Sequence, residues 1–151
     1  MRRIAPIVPI LLLAATACKP AQSQKGSPPS ATDTVAEAQA EFDPAAFDTV
    51  RWASDSLRLA RGADVFKWAC SECHGPQGHG DGGKVTPQGD TLRPPNFAAP
   101  DWRLARDTTE VERKVFTGNI RGMPHWGLRR MEFRDVDAVA HYVLTVLHPA
   151  K

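Results

Sequence analysis

The chain has 151 residues, of which 42% are hydrophobic and 24% charged, and its formal net charge is +2. That length holds one small domain with extensions, and the near balance of charge excludes a dedicated nucleic-acid binder. The three cysteines, at positions 18, 70 and 73, must be explained one by one.

Met1-Arg2-Arg3 is a cationic start, and Ile4 to Leu13 is an apolar run too short to span a bilayer as a helix. Together they predict an export signal over residues 1–17, with the mature protein on the periplasmic side of a bacterial membrane. Ala14-Ala15-Thr16-Ala17 places small residues directly before Cys18, which resembles the lipobox of bacterial lipoproteins. The resemblance implies that Cys18 is the first mature residue and carries lipid that binds the membrane. Ala15 departs from the leucine usual there, and an ordinary signal cut nearby is the competing reading. Lys19 to about Ala40 is rich in Pro, Ser, Ala, Gln and Thr, a composition that cannot bury enough apolar surface to offset the entropy of ordering. Residues 18–54 are therefore expected to be a lipidated N-terminus and flexible linker. A flexible segment of that length has a root-mean-square reach of roughly 35 Å and an extended limit on the order of 120 to 130 Å. Phe42, Phe47, Val50 and Trp52 follow no clean period, and both a docked arm and a linker end fit them.

The domain is expected over residues 55–151. Its first helix runs from about Asp55 to Cys70, with Ser54 as cap and Leu59, Ala63, Phe66 and Cys70 along one face. Gly62 costs such a helix about 1 kcal/mol relative to Ala and so asks for a reason. The helix leads into Cys70-Ser71-Glu72-Cys73-His74. Cys-x-x-Cys-His is the spacing at which two thiols add to the vinyl groups of one haem while the adjacent imidazole binds its iron. A zinc site would want four ligands, and the remaining cysteine lies in the export segment. A thioredoxin-type pair would sit beside a βαβ pattern, and none is visible.

From Gly75 to Asp101 the chain is dense in Gly and Pro, with no run long enough for a regular element. Such a stretch is unusual unless it wraps something that supplies its core. Asp107 to Phe116 reads as a middle helix, with Asp/Thr capping options, Val111 and Val115 as an apolar stripe, and Gly118 beyond its end. The last helix is expected to be capped by Asp135, with Val136, Val139, Ala140, Val143, Leu144 and Leu147 at helical spacing and Pro149 after it.

Between these helices, Gly118-Asn119-Ile120-Arg121-Gly122-Met123-Pro124 offers a thioether on a loop whose backbone can approach a flat cofactor. With Gly62, Phe66, the Cys73-His74-Gly75 and Gly78-His79-Gly80-Asp81-Gly82 runs, Arg93-Pro94-Pro95, Gly122-Met123-Pro124 and Tyr142, the chain resembles the class I c-type cytochromes from about Leu57 to Leu147. The resemblance implies an all-α class I cytochrome c fold, three to four helices around one covalently bound haem c. It places the thioether bonds on Cys70 and Cys73 and the axial ligation on His74 and Met123. It further implies that Gly62 lets the first and last helices cross closely, and that the Pro94 or Pro95 carbonyl accepts a hydrogen bond from the second ring nitrogen of His74. Arg93, Trp102 and Trp126 are candidate haem contacts. His125 is the competing sixth ligand and Met131 a weaker one, whereas His79, His141 and His148 are badly placed.

With both axial positions filled, iron keeps no open site for small ligands, and single-electron transfer is the chemistry left. The expected function is an electron carrier between membrane respiratory complexes, from a quinol-oxidising donor to a terminal oxidase or other high-potential acceptor. The alternatives are a fixed haem c subunit of a dehydrogenase or oxidase complex and, requiring a labile sixth ligand, a haem peroxidase or ligand sensor.

Overall fold

The computed structural model describes residues 29–87 and 89–148. The export signal and Cys18 lie outside them. Helix α1 (Ala31–Glu41) starts at a reciprocal cap: Asp33 N–H donates to the Ser30 hydroxyl, and the Asp33 carboxylate accepts from Ser30 N–H. A 3-10 turn over Pro44–Thr49 follows, opened by Asp43 accepting from Ala45 N–H at 2.9 Å. Both elements occupy sequence expected to be flexible linker, and packing explains the correction. Ala38 is fully buried and Phe47 nearly so. Phe47 meets Phe133 edge-on at 5.1 Å, and Phe42 meets Phe116 at 5.6 Å. Burying a Phe side chain stabilises by roughly 1.5–3 kcal/mol, which offsets the ordering of the few residues around it. Trp52 then donates its indole N–H to Asp137 at 2.7 Å, with Arg134 stacked 4.1 Å from the ring centre. The composition of residues 18–54 is polar on average, but these few aromatics hold its second half onto the domain.

Helix α2 (Asp55–Val65) is capped by Ser54, as expected. It does not run on regularly to Cys70: a π-helical turn spans Phe66–Cys70, and the single-turn helix α3 (Ser71–His74) completes the motif. Helix α4 (Thr108–Thr117) is capped by Asp107, which accepts from Glu110 N–H at 2.9 Å. Helix α5 (Phe133–Tyr142) continues into a π-helical turn over Val143–Leu147. Its N-cap position is Glu132, not the expected Asp135, and no side chain caps it. Asp135 is taken instead by Arg61, whose guanidinium donates to both carboxylate oxygens at 2.7 Å. Arg58 clasps Asp137 in the same way, at 2.9 and 2.6 Å. These two forks bracket the α2–α5 crossing. At its centre a Cβ on Gly62 would strike the Ala138 carbonyl oxygen and lie 2.6 Å from Tyr142 Cβ, so close approach is the reason for that glycine.

Among the described residues five α-helical elements are present, α1 and the single-turn α3 adding to the three helices expected. Val65, Val136 and Val139 form the centre of the core. The described part of 75–107 holds no helix, and its one ladder contact is an isolated bridge between Val85 and Thr91. Glu112 on α4 is buried beside Arg58, Asp137 and Asp48. Desolvation, reinforced by Asp137 and opposed by Arg58, raises its carboxyl to about 7.

Candidate functional site

The π turn and α3 set Cys70, Cys73 and His74 along one wall of a crevice, and the loop after α4 supplies the facing wall. Two lobes make it up, of about 430 and 780 Å³, within the roughly 300–1,000 Å³ typical of ligand sites. Both are lined by Cys70, His74, Pro95, Asn119, Arg121 and Met123. Cys73, Arg93 and Trp126 line the first lobe, and Trp102 the second. Cys70, Cys73, His74, Arg93, Trp102, Met123 and Trp126 therefore line one crevice, from segments up to 56 positions apart. Among the described residues no group of three His, Cys, Asp or Glu side chains could hold a metal ion.

The Met123 loop is knit by a residue the sequence reading did not single out. Asn119 Oδ1 accepts from Arg121 N–H at 2.8 Å and Met123 N–H at 3.3 Å, while Asn119 N–H donates to the Met123 carbonyl at 3.1 Å. Gly118, at φ 61°, lets the carbonyls of Met123 and Pro124 close to within 2.5 Å of where a Cβ would stand. His125 faces away: its Nδ1 pairs with the Thr117 carbonyl, and it does not line the crevice. Met131 lies in a separate hollow. Arg121, bordering both lobes, is a second residue the sequence reading passed over.

His74 is buried and stacks on Phe97, ring centres 4.7 Å apart and planes 19° from parallel. Burial disfavours its cation and lowers its pKa to about 4, so the imidazole is neutral at physiological pH, the form that ligates metals. Desolvation, with Cys73 nearby, raises the Cys70 thiol to about 12, and desolvation also pushes Cys73 up. The expected hydrogen bond from His74 to Pro94 or Pro95 is not formed. The Pro94 carbonyl packs on Gly80, and His74 Nδ1 is buried without a partner.

Residues 57–143 match the model of the family described as cytochrome c oxidase, cbb3-type, subunit III. The chain belongs to that family. It is thus a c-type cytochrome of the all-α class I fold, and domains of this family bind covalent haem c. No solved structure matches the chain.

The crevice fits that cofactor on its own chemistry. It presents two thiols three positions apart along one helical turn, a neutral imidazole with an orphaned buried nitrogen, and a thioether, in a mainly apolar lining. Arg93 and Arg121 border it, and neither makes an ion pair among the described residues. They are the groups available to meet carboxylates of a bound cofactor.

Proposed function

We propose that this cytochrome is a monohaem electron carrier in which Cys70 and Cys73 hold the haem by thioethers and His74 and Met123 are the axial ligands. The observation that carries the reading is the convergence of those four side chains on one cavity, with His125 turned away. Haem c supplies a one-electron iron couple. The protein's part is to hold and shield it. Burial of His74 keeps a lone pair available at the ring, Phe97 fixes the ring plane, and Asn119 ties the backbone around Met123 so that the thioether stays on the cavity side. Two committed ligands disfavour a peroxidase or ligand sensor. Thioether ligation raises the potential, which suits passage from a quinol-oxidising donor to a terminal oxidase or another high-potential acceptor.

Export to the periplasmic side and lipid attachment at Cys18 belong to the same proposal. They rest on the Met1–Leu13 signal pattern and the small residues before Cys18. A second reading, a fixed haem c subunit of an oxidase complex, is favoured by the family's description as an oxidase subunit; co-purification of a membrane complex with the haem protein separates the two. The central test is spectroscopic. Acid-acetone should leave the haem on the protein, and the oxidised form should show the weak far-red band of iron bound to thioether. Met123→Ala must lose that band and His125→Ala keep it; the reverse pattern would move the ligand to His125.

A further inference from the structure

Trp68 is 58% exposed, on the surface of the π turn that carries Cys70. Water around so large a ring is costly, and its position is not incidental. Its ring meets Trp126 edge-on at 5.6 Å, and Trp126 lines the crevice alongside Cys70 and Cys73. Beside the pair lies a hollow of about 330 Å³ bordered by Arg61, Arg129 and Arg130. Arg129 lies 5.7 Å from the Trp126 ring centre, and Arg130, at φ 64°, is the one non-glycine with positive φ among the described residues. Non-glycine residues in that region carry strain that surroundings must maintain. Of the carboxylates on this hollow, Asp135 is already held by Arg61, which leaves Glu132 against Arg129 and Arg130. The crevice itself is bordered by Arg93, Arg103, Arg121 and Lys114 against the single carboxylate of Asp101.

We propose that the surface centred on Trp68 and flanked by Arg129 and Arg130 is the docking site for an acidic redox protein. The inference rests on the electron-carrier reading and adds the place and charge of the partner. Trp and Arg are the residues that dominate binding energy when an interface closes over them, and cationic rims raise association with acidic surfaces while permitting fast release. An anionic membrane could also attract Trp and Arg. The continuity of this patch with the crevice through Trp126 favours a protein, because a partner seated there lies next to the cofactor, whereas a membrane would cover the face that must exchange electrons.

The test uses the full-length holoprotein in its reduced state, titrated at low salt with a reduced, soluble, acidic blue-copper protein, so that binding is read without electron transfer. The indole N–H resonances of Trp68 and Trp126 should shift. Affinity should fall about tenfold in Trp68→Ala and at least tenfold in Arg129→Glu/Arg130→Glu, with weaker salt dependence in the latter. Unchanged circular dichroism verifies folding. No binding at low salt, shifts on another face, or affinities within twofold in both variants would overturn the proposal. So would a Trp68 response to phosphatidylglycerol vesicles in place of the blue-copper protein, which would make the patch a membrane contact. Electron exchange of wild type with hexacyanoferrate is measured in parallel. Its failure counts against the carrier reading and leaves the binding result to judge the surface.

Discussion

Replacing Glu112 by Gln should change how stability depends on pH, with a sign fixed by the burial of that carboxyl. In the unfolded chain the group titrates near its ordinary 4.5, and in the fold it is raised to about 7 by desolvation and by Asp137. Well below pH 4.5 both states are protonated and the ionisation of Glu112 contributes nothing to stability. Between the two values the unfolded chain releases its proton while the fold retains it, so the unfolded state binds fewer protons and stability falls as pH rises. At about 1.4 kcal/mol per unit, the cost approaches ~1 kcal/mol at pH 5 and ~3 kcal/mol at pH 8. Gln carries no charge and escapes this cost, although its buried amide forfeits part of the gain. The variant should therefore exceed wild type by on the order of 1–3 kcal/mol at pH 8, and by less than about 1 kcal/mol at pH 5. Guanidinium unfolding followed by circular dichroism across that range measures the difference, and the other titrating groups cancel between the two proteins. A difference that is flat with pH, or that favours wild type at pH 8, would refute this account of Glu112.

Gly62→Ala places a methyl group against the Ala138 carbonyl and Tyr142 and should destabilise by about 1–3 kcal/mol, read as a lower denaturation midpoint. Trp52→Phe removes the indole donor to Asp137 and should cost about 1 kcal/mol, with faster proteolysis between residues 42 and 54. Met123→Ala should bind carbon monoxide rapidly when reduced and gain peroxidase activity, neither of which wild type should show; fast carbon monoxide binding by wild type would promote the sensor reading. Arg121→Gln removes a cation from the cavity rim and should lower the reduction potential by tens of mV, one tenfold change in a one-electron equilibrium being about 59 mV, as measured by redox titration.

Local signals were read well from sequence. Ser54 and Asp107 cap where expected, and Cys70-Ser71-Glu72-Cys73-His74 lies at the crevice. What escaped depends on contacts between distant positions. Arg61 and Asp135 are 74 positions apart, and Arg58 and Asp137 are 79 apart. No local pattern announces that Arg61 will claim a carboxylate that otherwise reads as a cap. The same holds for Pro94, whose carbonyl packs closely against Gly80. The α1 helix did carry a signal: Ser30 followed three residues later by Asp33 is a capping box with the shorter acid in place of Glu. The polar composition of the surrounding segment masks it. Asn119 lacked such a mark, since its work is done through the backbone of residues downstream.

Were Cys18 lipidated as proposed, the docking of α1 and the turn after it would set the molecule's stand-off height from the membrane. The packed domain begins at Ser30, only 12 positions after Cys18. Whatever the conformation between them, at ~3.6 Å per residue those positions span no more than about 43 Å. With lipid on Cys18, the domain then stays within roughly one domain diameter of the headgroups, about a third of the span that 18–54 as free chain would allow. Such a cytochrome meets partners by lateral diffusion in the plane of the membrane, and an acceptor must present its redox centre close to that plane to be served.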